Sequence, residues 1–203
     1  MPQLLDMVTL VAPFAPNVPA FTAANAIREA ARTFYGTVPA LTEFVEVETE
    51  AGVMDYELYG SYVDTEVTAI LGVERTPFDK LTYVKDVGRV QNDGKPYRYT
   101  TLRTRQIRLL PTPDSVETLR VEVALRPTFD ASEIDDAAFN YDAEIIKYGA
   151  ISILKSQPNT DWSAPQEAAY FRRDFEGMMN DRRIELAQSH NTEQLTANVN
   201  HFL

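Results

Sequence analysis

Paired carboxylates are the most frequent chemistry-bearing feature of this sequence: Glu46/Glu48, Asp55/Glu57 and Glu133/Asp135/Asp136. A glycan hydrolase needs two such groups facing one another across a cleft, one protonated and one ionised. Tyr56, Tyr59 and Tyr62 stand close by as possible sugar platforms. Spacing alone does not make a cleft. Glu46, Glu48 and Glu50 alternate with Val45, Val47 and Thr49, which reads first as the solvated face of a strand. Ser132-Glu133-Ile134-Asp135-Asp136 reads first as capping and negative charge at a helix N-terminus.

Other catalytic constellations are thinner. Both histidines, His190 and His201, lie in a polar tail, where a general base has no rigid support. The eight glycines are scattered and build neither a phosphate loop nor a nucleophile elbow. With no cysteine in the chain, disulfides and thiolate metal sites are ruled out. No catalytic, cofactor-binding or metal-ligating residue is assigned.

Arg103, Arg105 and Arg108, flanked by Tyr97 and Tyr99, form the one basic cluster with aromatic company. On a strand Arg103 and Arg105 would share a face and meet either nucleic acid or carboxylates. Thirty acidic against nineteen basic residues, a formal charge of −11, favour carboxylates. The glutamates at 46, 48 and 50 are a complementary stripe, within the sheet or on a neighbouring copy. Tight DNA binding needs an excess of Lys and Arg to displace counterions, so it is not expected; an acidic surface is compatible with DNA passing nearby without sticking and is also an ordinary solubility feature.

The elements that must position these groups follow from periodicity. Met7 to Val11 reads as a lead-in strand, followed by an extended connector through Pro13, Pro16 and Pro19. From Phe21 to Tyr35 a helix places Phe21, Ala24, Ile27, Ala31 and Phe34 in the core, with Arg28, Glu29 and Arg32 outside and Gly36 as its C-terminal stop. Ala23, Ala26 and Ala30 form a small-residue stripe suited to close helix approach. Between Val38 and Pro127 the period becomes two, giving six or so short strands. Val45 to Thr49 and Val53 to Tyr59 read as a hairpin, and Pro111-Thr112-Pro113-Asp114-Ser115 as a turn joining two strands. From Asp136 to Gln188 two helical runs, with Ala138, Tyr141, Ile145 and Gly149 and then Ala168, Phe171, Phe175 and Met178 on their apolar faces, flank a break at Pro158. Ser163 and Pro165 suit the N-cap and first turn of the second helix, and Trp162 suits a plug at the end of the bundle.

The expected fold class is α+β: a helical bundle, made of the early helix and a C-terminal αα-hairpin, with an inserted small antiparallel β-sheet or sandwich. Its parts are an extended lead-in at 1–20, the bundle at 21–37 and 128–189, the β insertion at 38–127 and an arm at 190–203. A chain of 203 residues with 44% hydrophobic content can bury such a core unaided. No run is apolar over the roughly 20 residues of a membrane span. Met1-Pro2-Gln3-Leu4-Leu5-Asp6 lacks the basic lead of a signal peptide, so a soluble protein made in a cytoplasm is expected.

The order of parts resembles the head-to-tail connector, or adaptor, proteins of tailed bacteriophages, the group that includes tail tubular and head-completion proteins. The residues that carry the resemblance are the early helix Ala24 to Tyr35, the strand and turn Ile107-Arg108-Leu109-Leu110-Pro111-Thr112-Pro113, and a second strand ending Leu125-Arg126-Pro127. It continues in Glu144 to Ala150, in Pro158 to Pro165 with Trp162, and in Ala168 to Phe175. The resemblance implies a virion structural protein without turnover, found in the neck and assembled in the host cytoplasm. It implies a homo-oligomeric ring, usually of twelve copies, between the portal protein and a downstream tail, stopper or nozzle protein. The ring extends the DNA channel, and a tail-terminator or stopper ring is the related alternative. Terminal arms in this group engage the portal, which points to His190, Leu195, Val199, His201, Phe202 and Leu203. Different faces of one subunit must complement each other in a ring, which points to Glu46, Glu48, Arg103, Arg105, Arg172, Arg173, Arg182 and Arg183 as subunit contacts.

Overall fold

The computed structural model describes residues 4, 7–76, 79–85, 93–133 and 136–190, the last-named segment with only the backbone of 136–139, 189 and 190. The first described element is a one-turn helix, α1 (Val8–Val11), where a strand is expected. Leu4, Met7, Val11 and Ala15 are all buried, and their spacing of three and four gives this segment a helical inward face.

Helix α2 (Ala20–Thr37) buries Ala23, Ala24, Ala26, Ile27, Ala30, Ala31 and Phe34, as its two stripes require. Three expectations for it fail. Phe21 stays 71% exposed, because its place in the first turn lies off the buried face. Arg32 is buried rather than outside. The helix also runs through Gly36 to Thr37, so Gly36 is no stop; a side chain there would meet Arg126 at 3.4 Å.

Among the described residues eight strands follow: β1 (Thr42–Glu48), β2 (Asp55–Glu57), β3 (Thr65–Thr76), β4 (Asp79–Lys80), β5 (Thr82–Tyr83), β6 (Arg98–Arg103), β7 (Gln106–Leu110) and β8 (Thr118–Pro127). They make two four-stranded sheets ordered β1-β8-β3-β4 and β2-β7-β6-β5. The expected hairpin of β1 with β2 does not form: β1 pairs with β8 and β2 with β7, in different sheets. Likewise the proline turn after β7 carries the chain from one sheet to the other. All pairs are antiparallel except β5 with β6. Strand β8 is central, with Leu119, Val121, Val123 and Leu125 fully buried on the alternation a covered strand face demands.

Helices α3 (Asp136–Lys155) and α4 (Pro165–His190) form the expected αα-hairpin. Helix α3 packs between α2 and α4, while α2 also covers β8. Buried residues of the helices and both sheets form one hydrophobic cluster, so the α+β architecture has a continuous interior. Gly149 sits where α2 and α4 both press on α3: a Cβ there would lie 2.9 Å from Ala30 Cβ and 2.9 Å from Phe175 Cε2. Tyr141, placed in the core by its spacing, is 77% exposed; Ile146, Ala150, Ile151 and Leu154 carry the inner face instead. Pro165 opens α4, and the carbonyl that accepts from Ala168 N is that of Ala164, so the cap position is one residue later than Ser163. Trp162 packs against the core at the bend and donates its indole N–H to Gln157 Oε1 at 3.1 Å.

Candidate interaction surfaces

Strand β1 is an edge strand of the first sheet, and its even-numbered residues face outward. Glu46 and Glu48 are exposed on that face. Arg120 lies opposite Glu46 in register, but its guanidinium contacts Glu74 at 3.3 Å and covers the Phe44 ring at 4.3 Å. Among the described residues neither Glu46 nor Glu48 forms an ion pair.

Arg103 and Arg105 do not share a strand face. Arg103 ends β6 and Arg105 lies in the tight turn before β7. Both are exposed and make no ion pair among the described residues; Arg105 lies 5.4 Å from the Tyr59 ring centre. The third arginine of the cluster is committed, because Arg108 grips Asp55 bidentately, Nε to Oδ1 at 2.6 Å and NH2 to Oδ2 at 2.8 Å. That hydrogen-bonded pairing holds the Asp55 carboxyl below its usual range.

An open groove of about 430 Å³ runs beside this turn, walled by Arg103, Arg105, Arg126, Glu57 and Glu66. Glu66 accepts from Arg32 at 3.0 Å and from Arg126 at 2.8 Å. Burial alone would raise its pKa, yet the two arginines outweigh this and hold it below the usual value. Glu57 accepts from the Tyr59 hydroxyl at 2.5 Å. A glycosidase acid must hold its proton near neutral pH, so its pKa must be raised; Glu66 is shifted the other way. The tyrosines are also engaged: Tyr56 donates to Val53 O at 2.8 Å and accepts from Glu50 N at 3.0 Å, and Tyr62 packs on the core. The carboxylates of this region therefore act as ion-pair and loop-holding groups. Ser132 donates both its hydroxyl and its N–H to Asp64. Asp135 lies outside the described residues.

Helix α4 presents Arg172, Arg173 and Arg183 on its exposed side. Arg182 turns inward instead, with Nε 3.1 Å from Asp142 Oδ1 and NH1 2.9 Å from Glu185. Asp142 is 1% exposed, and burial pushes its carboxyl above the ordinary value, against the opposing pull of Arg182 and a Tyr35 hydrogen bond. Sequence reasoning missed this pair and the Arg32–Glu66–Arg126 link. The signal for the latter is Arg32 lying next to Ala30, Ala31 and Phe34 on a buried stripe. Of the expected arm, His190 ends α4, and Leu195, Val199, His201, Phe202 and Leu203 lie outside the described residues. Among the described residues no helix is long and apolar enough to cross a membrane.

A family model described as SU10 adaptor protein matches residues 2–199. Among curated proteins, none matches the chain.

Proposed function

The chain belongs to the SU10 adaptor protein family, and from that premise we propose that it is a structural virion protein of a tailed bacteriophage, the adaptor between head and tail. In this reading copies of the chain close into a ring, of twelve by the resemblance, under the portal. The ring extends the DNA channel toward a tail, stopper or nozzle protein, in the neck of a particle assembled in the host cytoplasm. It carries no turnover. The family match over nearly the whole chain is the observation that carries the proposal.

Several features support the finer reading. A charge of −11 suits a channel wall that lets DNA pass. Glu46 and Glu48 on one side and Arg103 and Arg105 on another, none of them in an ion pair among the described residues, suit a heterologous, ring-closing contact. Arg172, Arg173 and Arg183 on α4 are further candidates for neighbour contact, whereas Arg182 acts by holding α4 to Asp142. The arm from His190 through Leu195, Val199, His201 and Phe202 to Leu203 is proposed to dock on the portal.

Light scattering and particle imaging of the chain mixed with its portal test the proposal. A ring seated on the portal is expected, and deletion of residues 190–203 should abolish that seating while leaving the folded core intact. A chain that stays monomeric beside the portal overturns the adaptor reading. A ring that seats on a tail tube rather than the portal moves the assignment to a tail terminator.

A further inference from the structure

The groove at the β6–β7 turn does not end at Arg103. Beyond it a second depression of about 300 Å³ opens, walled by Ala69, Ile70 and Leu102 and sharing Thr68, Arg103 and Thr104 with the first. Leu102 is 39% exposed and Ile70 is half-buried at the edge of the core. Along β3 the receiving surface thus passes from apolar (Ile70, Leu102) to Arg103 and then to Arg105. Its three arginines outnumber its two glutamates, and Glu66 is already held by Arg32 and Arg126, in a chain of net charge −11.

The outward face of β1 has the same order in complementary chemistry: Phe44, then Glu46, then Glu48. Phe44 is 46% exposed, with only Arg120 against its ring among cation contacts of the described residues. From Phe44 to Glu48 the strand spans about 13 Å at roughly 3.3 Å per residue. Glu46 and Glu48 lie opposite Arg120 and Thr118, at one end of β8. Glu66 and Val67 lie opposite Arg126 and Leu125 at its other end, across the opposite edge of the strand. A subunit therefore cannot fill its own groove with this stripe, but a second copy can.

We propose that the groove between β3 and the β6–β7 turn is the socket for the β1 edge of a neighbouring copy, with Phe44 seated against Ile70 and Leu102 and with Glu46 and Glu48 facing Arg103 and Arg105. This rests on the ring reading above and adds to it the anchor residue, its pocket and the direction of the contact. The apolar anchor supplies residence and the charge pairs set register and partner choice.

The absence of native cysteines allows a direct test. In the full chain assembled on its portal, Phe44→Cys with Leu102→Cys should give a ladder of covalent multimers on oxidation. Val116→Cys, 72% exposed at another place, with Leu102→Cys should give none. Arg103→Glu with Arg105→Glu, or Glu46→Arg with Glu48→Arg, should each lower ring yield by about tenfold or more, and mixing the two variant chains should restore it. Variants are first matched to the native chain by circular dichroism; where the cysteine pair does not fold, the charge-swap arm decides. Rings that form normally with either reversal, or that the swap fails to rescue, overturn the socket and leave the adaptor role standing. A native chain that forms no ring beside its portal overturns both.

Discussion

Asp142 of α3 and Arg182 of α4 meet across the helical hairpin, the guanidinium Nε donating to Oδ1 at 3.1 Å while the carboxylate is 1% exposed. The Tyr141 ring flanks the guanidinium at 4.6 Å, and the Tyr35 hydroxyl of α2 favours the ionised form of the same carboxylate. One buried acid thereby joins α3 to α4. Removing its cation leaves an uncompensated buried charge, which costs about 3–5 kcal/mol where both partners are enclosed. Arg182 is partly open, so Arg182→Ala should lose about 3 kcal/mol of unfolding free energy in a urea titration. Arg183→Ala, one residue on and exposed, should change stability by no more than about 0.5 kcal/mol.

The same acid gives stability a dependence on pH that is unusual for a carboxylate. Burial raises the Asp142 carboxyl above its ordinary value, so between about pH 3.9 and that raised value the folded chain keeps a proton the unfolded chain has lost. Its contribution is complete below that window and declines as pH rises through it. In Asp142→Asn this decline is missing, and the variant should gain on the native chain as pH increases across the window. Glu66 behaves oppositely: its lowered pKa gives stability that is present above about pH 4.3 and lost as pH falls through the folded value. The native advantage over Glu66→Gln should therefore shrink in acid. Urea midpoints measured from about pH 3 to pH 7 check both directions.

What the sequence revealed divides along the line between local and distant causes. Helices α2, α3 and α4 and strands β7 and β8 show in their periodicity, because a buried face repeats along each element. Strand partners do not, since the alternation of Val45 and Glu46 is the same whether β1 pairs with β2 or with β8. The one-turn α1 is too short for a period to stand out, and only the burial of Leu4 and Ala15 beyond its ends explains it. Arg32 and Asp142 sit inside apolar stripes, and whether such charges turn in or out depends on Glu66 and Arg182, supplied from far along the chain. The groove draws on α2, β2, β3, β8 and the β6–β7 turn, so no single stretch announces it; the exposed arginines at its rim were legible, their placement on a turn was not.

Arg32 links α2 to the first sheet. Its NH1 donates to the Pro127 carbonyl at the end of β8, its NH2 to Glu66 on β3, and its guanidinium carbon lies 3.5 Å from the Phe129 ring centre. Arg32→Leu leaves the carbonyl without this donor, a loss of about 2–3 kcal/mol. Glu66 keeps Arg126 in that variant, so Glu66→Gln should cost less. The double variant should cost less than the sum of the two, with a coupling of about 1 kcal/mol in a denaturation cycle.

Two helical glycines should respond to alanine with opposite sign. Glycine within a helix is about 1 kcal/mol less favourable than alanine, so Gly177→Ala in α4, where a Cβ meets nothing within 4 Å, should stabilise by about that amount. The same exchange at Gly149 gains the same backbone term but drives a methyl to 2.9 Å from Ala30 Cβ and to 2.9 and 3.0 Å from Phe175 Cε2 and Cζ. Ala30 is fixed on α2 and Phe175 is buried, so the helices must part or the ring must turn, at about 1–3 kcal/mol for overpacking. Net destabilisation is expected for Gly149→Ala, and urea unfolding of the two variants side by side measures it. A gain in both would show that α2 and α4 yield around Gly149, and that its small size is not what sets the helix spacing.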